Sequence, residues 1–237
     1  MIVVTGGAGF IGSCIVAALN ARGIKDIIIV DNLKDNAIKE NNITNKNYAK
    51  YYDKGGFLEL VLSDKIDAGV THVIHMGACS STTLTDADYY QKNNFEYSCH
   101  LAEWAKKRQA HYIYASSAAT YGDGSLGYND AHEMIPKLQP LNLYGDSKQR
   151  FDLWVMDNGY IDSVVGLKFF NVYGPNEYHK GDMRSVIAKT YQSVIADKKI
   201  GLFKSYQKPD YEDGGQKRDF IYVKDAVNVV MHFFDHP

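Results

Sequence analysis

The sequence predicts an α/β protein organised around a doubly wound parallel sheet, and three observations predict it. Short β-branched runs, Ile2-Val3-Val4 and Ile27-Ile28-Ile29-Val30 among them, alternate with longer stretches of helical periodicity, as doubly buried strands alternate with crossover helices. A glycine-rich turn, Gly6-Gly7-Ala8-Gly9-Phe10-Ile11-Gly12, separates the first strand from the first helix. A length of 237 residues with 45% hydrophobic and 23% charged content is enough for one sizeable core.

Taken in order, the first helix covers about 11–22 and Gly23 ends it. The second strand, 27–30, leads into a polar stretch, 32–47, read as a loop with one helical turn. A third strand is expected at 48–52, a helix at 57–66, and a fourth strand at 72–76 running into the small-residue turn 77–81. One long helix at 86–107, a fifth strand at 111–115, a helix at about 143–158 after Pro140 and a sixth strand at 163–169 complete the alternation. After residue 175 the pattern loosens into a helix at about 184–197 and a Lys-, Asp- and Gly-rich loop at 204–217. The expected division is therefore a sheet domain over 1–175, a small lobe segment over 176–217, and a return to the sheet domain over 218–237.

The net charge of -2 offers no basic field for nucleic acid or an anionic membrane. The three cysteines, Cys14, Cys79 and Cys99, are odd in number and widely spaced, which favours reduced thiols over a disulfide framework or a metal site. The residues after Met1 form a strand rather than a signal peptide. No run reaches the roughly 20 apolar residues of a membrane helix. The expected compartment is the cytoplasm.

The glycine turn follows a strand and opens a helix, the context in which this spacing binds a dinucleotide pyrophosphate. Gly6 suits the tight turn, Gly9 lets backbone approach phosphate, and Gly12 lets the helix pack closely. Asp31, 19 positions after Gly12, suits the ribose hydroxyls of NAD. Asn32 follows it, and Lys34 and Lys39 lie nearby as cations able to offset the extra phosphate of NADP, so both cofactors stay open. The small residues Gly77-Ala78-Cys79-Ser80 after the fourth strand would let backbone pass beside adenine and ribose.

Tyr144 and Lys148 form a Y-x-x-x-K on one helix face. An ammonium beside a phenol favours phenolate and is expected to lower its pKa from about 10. Such a phenol can exchange a proton with a hydroxyl or carbonyl. Ser116 and Ser117 end the fifth strand, at the sheet edge where ligands bind, and either could hydrogen-bond the reacting oxygen.

The glycine turn, Ser116-Ser117-Ala118-Ala119-Thr120-Tyr121-Gly122, Tyr144-x-x-x-Lys148 and Phe169-Phe170-Asn171-Val172-Tyr173-Gly174-Pro175 together resemble the extended short-chain dehydrogenases that act on nucleotide sugars. Order and spacing match along nearly the whole chain. More narrowly, Val30-Asp31-Asn32-Leu33, Gly77-Ala78-Cys79-Ser80-Ser81-Thr82-Thr83, His179-Lys180-Gly181 and Lys217-Arg218-Asp219-Phe220 resemble the ADP-L-glycero-D-manno-heptose 6-epimerase family.

The resemblance implies a Rossmann domain with a C-terminal substrate lobe. It implies an isomerase that interconverts the D-glycero and L-glycero forms of ADP-heptose, a lipopolysaccharide precursor, by transient oxidation at C6″. The cofactor it implies is NADP, with NAD as the alternative, and the assembly it implies is a homo-oligomer, a pentamer being one form. Tyr144 and Lys180 are implied as the two acid/base groups, Ser117 as the assisting hydroxyl, and Lys148 as the group that tunes Tyr144 and contacts the nicotinamide ribose. Cofactor contacts are implied at Gly6, Gly9, Phe10, Ile11, Gly12, Asp31, Asn32, Lys39, Lys54, Met76, Gly77, Ala78, Cys79, Ser80, Asn93, Tyr144, Lys148, Val172 and Lys180. Substrate contacts are implied at Asn171, Asp182, Lys189, Phe203 and Arg218, whose planar fork suits the ADP phosphates. No metal is implied.

Three features depart from that family. Asp182 stands where a small serine is favoured, the 204–217 loop is longer, and the family continues beyond the position of Pro237 with a strand, a turn and a lobe, so the chain reads as a fragment. The rival readings are a UDP-sugar 4-epimerase or nucleotide-sugar dehydratase, and a non-catalytic dinucleotide-binding protein. The Lys180 loop favours 6-epimerisation over the first, and intact Ser117, Tyr144 and Lys148 favour catalysis over the second.

Overall fold

Six strands, β1 (Ile2–Thr5), β2 (Ile27–Asp31), β3 (Lys50–Asp53), β4 (His72–His75), β5 (His111–Ser117) and β6 (Val164–Phe169), form one sheet in the order β3-β2-β1-β4-β5-β6. Every pairing is parallel. The order reverses between β1 and β4, and ligands of such sheets bind beyond the strand ends at that reversal. The computed structural model describes residues 1–33, 36–66, 69–206 and 209–237. Lys34, weighed above as a cation near Asp31, lies outside them, as do positions 207 and 208 of the late loop.

The β-branched runs are explained by two cores. Val3, Ile28, Val30 and Val73 point into one face, where α3 (Lys54–Leu62), α5 (Tyr97–Lys107) and α6 (Leu143–Asp157) supply Phe57, Leu101, Trp104 and Phe151. Ile2, Val4, Ile27, Ile29 and Ile74 point into the other, against Ile15, Val16 and Leu19 of α1 (Phe10–Ala21) and Val227 and Val230 of α8 (Val223–Asp235). Successive residues of a strand face opposite sides, so only a run apolar at every position satisfies both cores.

Several expected bounds shift for local reasons. The third strand is displaced to Lys50–Asp53, an edge strand whose exposed and half-buried residues carry little apolar signal. The helix expected at 57–66 starts at Lys54, because Asp53 caps it by accepting from the Gly55 N–H at 2.9 Å, and it stops at Leu62. The helix expected over 86–107 is three pieces: α4 (Ala87–Tyr90), a π-helical turn (Gln91–Glu96) and α5. The Ser98 hydroxyl of α5 donates to the Asn94 carbonyl in that turn, and such wide turns often sit at functional sites.

Beyond the sheet, α2 (Ala37–Asn41) is the single turn expected in the polar stretch, and α7 (Val186–Asp197) follows a short 3-10 segment, Tyr178–Met183. A two-stranded parallel sheet, β7 (Asn171–Tyr173) with β8 (Phe220–Tyr222), was not anticipated. Its strands are short and far apart in sequence, so no local pattern announces their pairing. Among the described residues no helix is long and apolar enough to cross a membrane. Cys14, Cys79 and Cys99 are free thiols.

Candidate active site

The glycine turn lies at the β1–β4 reversal and fits against a second turn. Gly6 has φ +65°, and a side chain there would come within 2.7 Å of the Gly77 nitrogen. Gly12 has no such φ, but a Cβ on it would overlap the Gly6 carbonyl oxygen. Gly9, the residue before α1, provides no side-chain cap, which leaves first-turn N–H groups and the helix dipole free for an anion. The 77–81 turn is held from below: the Gly77 N–H donates to Thr5 Oγ1 at 3.2 Å, and Thr5 Oγ1 shares a 2.6 Å hydrogen bond with His75 Nδ1. Burial, and next the charge of Lys148, push His75 down to about 3, so it is a neutral strut.

Asp31, at the end of β2, is buried and already occupied. It accepts the Ala8 N–H at 2.9 Å and the Asn32 N–H at 2.7 Å, and Lys39 Nζ lies 2.5 Å from it. Lys54 Nζ is bonded to Asn93 Oδ1, joining the start of α3 to the π turn, and its burial lowers its pKa. Phe10 is buried, Ile11, Met76, Gly77, Cys79 and Val172 are half-buried, and Ala78 and Ser80 are exposed at the sheet edge. A cradle closed to any Cβ at Gly6 and Gly12, an uncapped helix N-terminus and an acid at the end of β2 fit a dinucleotide. We expect Gly12→Ala to push backbone against backbone. It should cost about 1–3 kcal/mol of stability and more than about tenfold in dinucleotide affinity, read by thermal unfolding and titration; unchanged affinity would contradict this account of the turn.

The two serines of β5 divide. Ser116 is turned away, donating to Asp152 Oδ2 at 2.8 Å. Ser117 caps the following 3-10 turn, accepting the Ala119 N–H at 3.1 Å, and hydrogen-bonds Tyr144. Lys148 is buried and donates to the Ala115 carbonyl at 2.6 Å; burial lowers it to about 8, with the charge of Asp152 opposing. The expected lowering of Tyr144 is not found. Its burial raises its pKa, the Ser117 hydrogen bond pulls the other way, and Cys79 adds to the rise. The ammonium of Lys148 is directed to a backbone carbonyl instead of the phenol.

Asn94, buried in the π turn, was missed by the sequence reading. Its side chain accepts the Cys79 N–H at 2.8 Å and donates to the Cys79 carbonyl at 3.0 Å and to Ser147 Oγ at 3.0 Å. It thus ties the 77–81 turn to the helix that carries Tyr144. No spacing in the sequence marked it, since its partners lie 15 and 53 positions away.

Lys180 lies in the Tyr178–Met183 segment with its Nζ 5.6 Å from the centre of the Phe10 ring; burial lowers its pKa and Glu177 opposes that. Of the implied substrate contacts, Asn171 and Arg218 come near each other where β7 pairs with β8. Asn171 donates to the Asp219 carbonyl at 3.0 Å, Arg218 bonds the adjacent Lys217 carbonyl at 2.7 Å, and Asp182, Lys189 and Phe203 are exposed.

A glycine turn at the sheet reversal with Ser117, Tyr144 and Lys148 beside it defines a dinucleotide-dependent enzyme of the short-chain dehydrogenase build. More narrowly, the chain belongs to the NAD dependent epimerase/dehydratase family, whose model matches residues 2–237. It is 52% identical over 237 residues to an ADP-L-glycero-D-manno-heptose-6-epimerase of Nitratidesulfovibrio vulgaris, covering 100% of this chain and 73% of that one. A protein of the same name from Fusobacterium nucleatum is 50% identical, with 98% and 70% covered.

Among solved structures, the Helicobacter pylori ADP-L-glycero-D-manno-heptose-6-epimerase matches with a TM-score of 0.77 at 29% identity, over 95% of this chain and 69% of that one. A UDP-N-acetylglucosamine 4-epimerase from Methanobrevibacter ruminantium matches at 0.75 and 29%, over 96% and 70%. The expected parallel-sheet fold, the resemblance to 6-epimerases and the isomerase class are borne out by these findings. The cofactor is a nicotinamide dinucleotide.

Proposed function

We infer that this protein interconverts ADP-D-glycero-β-D-manno-heptose and ADP-L-glycero-β-D-manno-heptose through transient oxidation at C6″, supplying a lipopolysaccharide heptose precursor in the cytoplasm. The observation that carries the reading is the meeting of Ser117, Tyr144 and Lys148 at the strand edge beside the glycine turn, with the Lys180 segment over Phe10 of the same turn. A bound nicotinamide would accept a hydride from the sugar carbon and return it, so no net redox change is needed.

The chain's own residues supply the rest. Tyr144, kept protonated by its burial, holds a proton at Oη for exchange with the sugar oxygen, and Ser117 orients that hydroxyl. Lys148 keeps a positive charge near the ribose below about pH 8. Lys180, from a separate element, serves as the second acid/base, as inversion of a centre requires proton transfer on two faces. Lys39 on Asp31 offsets the acid's charge, which favours NADP over NAD. Asn171, Asp182, Lys189, Phe203 and Arg218 are the proposed substrate side, within the 176–217 lobe or at its borders. The working form is a homo-oligomer.

Incubating the protein with the D-glycero epimer and separating the products should yield the L-glycero epimer, with NADP retained. Conversion of a UDP-hexose instead, with no turnover of ADP-heptose at full cofactor occupancy, would sink the assignment.

A further inference from the structure

Glu177 is 1% exposed, the most buried carboxylate among the described residues. A buried carboxylate is costly unless its lone pairs are filled. Here all three hydrogen bonds go to the two ends of one loop. Oε1 accepts the Gly174 N–H at 3.0 Å and the Ser185 hydroxyl at 2.8 Å, and Oε2 accepts the Ser185 N–H at 2.6 Å. The span between those ends contains His179, Lys180 and Gly181, and the Lys180 N–H donates to the Glu177 carbonyl at 3.1 Å.

The same loop is docked onto the dinucleotide turn. Asn42 donates to the carbonyls of Ala8 at 3.0 Å and Asn176 at 3.2 Å, and Asn176 donates to Ser13 Oγ at 3.0 Å. Asn42 and Asn176 thus set where the loop sits, and Glu177 sets how tightly it is closed. Lys180 has a long, flexible stem, and only a closed loop keeps its Nζ at one place over Phe10.

We propose that Glu177 is a positioning residue: its carboxylate pins Gly174 to Ser185 and so holds Lys180 over the dinucleotide turn for proton transfer. The proposal rests on the reading of Lys180 as an acid/base group. It extends to charge as well as shape. The groups around Lys180 are Glu177 on its own loop, His179 beside it and the Phe10 ring of α1, with Lys39 and Asp31 beyond, whose charges reach His179. Glu177 is the charge that favours the ammonium of Lys180 against its burial.

The test compares Glu177→Gln, Ser185→Ala and Lys180→Ala in the full chain, measuring kcat, KM, dinucleotide binding and the pH profile of kcat. Glu177→Gln places an amide N–H₂ against a donor and removes the charge. We expect kcat to fall on the order of a hundredfold, the size of a misplacement of about 1 Å, with KM and dinucleotide binding within about threefold. Lys148 and Lys180 both lose protons on the basic limb, and Glu177 acts on Lys180 and not on Lys148, so in Glu177→Gln the Lys180 part of the limb should move to lower pH, because losing the negative charge favours neutral Lys180. Ser185→Ala removes one of the three bonds and should lower kcat in the same direction by less, which keeps the test available if Glu177→Gln does not fold. A Glu177→Gln enzyme with unchanged kcat or an unmoved basic limb, or an unaltered kcat in Ser185→Ala, would overturn the proposal while leaving the epimerase reading intact. Full activity of Lys180→Ala would remove Lys180 from the reaction and take the proposal down with that reading.

Discussion

Tyr144→Phe should lower kcat by about 10²–10⁴-fold, the contribution of a positioned general acid/base, while leaving the dinucleotide bound. The phenol ring is set by α6, whose start is fixed by Asn142 accepting the Gly145 N–H at 2.8 Å, and by Ser147, which Asn94 holds at 3.0 Å. None of these involves the hydroxyl, so the substitution removes one oxygen from an otherwise unchanged site. Ser117→Ala should cost less, about tenfold to a hundredfold, as loss of one hydrogen bond to a reacting group does. It should also raise the Tyr144 pKa further, since the Ser117 hydrogen bond is the influence that lowers it. The wild-type kcat/KM should fall as pH rises through about 8, where buried Lys148 loses its proton. Steady-state kinetics from pH 6 to 10 with both variants would check this. A fully active Tyr144→Phe would remove the phenol from the mechanism.

What the sequence made legible depended on whether a residue's role was local. The β-branched runs and the glycine turn announce themselves, because burial on two faces and a backbone too crowded for Cβ demand those residue types wherever they occur. Tyr144 and Lys148 were legible as a pair through helix spacing, but their relation was not. Only the fold shows Lys148 aimed at the Ala115 carbonyl and Tyr144 bonded to Ser117.

The choice between Ser116 and Ser117 was open for a similar reason. Neighbours on a strand face opposite sides, and which side is the site depends on where α6 lies. Asn42 and Asn94 were illegible because each is one polar residue in a polar or helical stretch whose meaning comes from partners far along the chain, and Glu177 because nothing in its loop marks it as buried. Asn42 joins the Ala8 carbonyl to a loop beyond residue 175, and no spacing rule spans that interval. Of the five implied substrate positions, Asn171 has such a tie, to the Asp219 carbonyl, while Asp182, Lys189 and Phe203 are exposed. Their roles rest on the resemblance.

Asp152→Ala should be the most destabilising single change near the site. Asp152 is buried on α6. It accepts the Tyr114 hydroxyl at 2.9 Å and the Ser116 hydroxyl at 2.8 Å, and pairs with Lys168 Nζ at 2.5 Å. Lys168 also donates to Thr120 Oγ1 at 2.8 Å, so the network ties β5, β6 and the turn after Ser117 to α6. The Lys168 side chain is only 15% exposed. Removing its partner strands a largely buried ammonium, a cost of about 3–5 kcal/mol. For a domain of this size that corresponds to a drop in Tm of roughly 6–20 °C.

The charge effect is separable from the packing effect. Asp152 is the charge that raises Lys148 against its burial. At a temperature where the variant stays folded, the basic limb of its kcat/KM profile should therefore lie at lower pH than in the wild type. Removing both charges, as in Asp152→Asn with Lys168→Met, should recover much of the lost Tm, because paired apolar or neutral replacement of a buried ion pair is often near neutral, yet leave the basic limb displaced. A double variant no more stable than Asp152→Ala would show that Asp152 holds the site through its hydroxyl partners and not through Lys168.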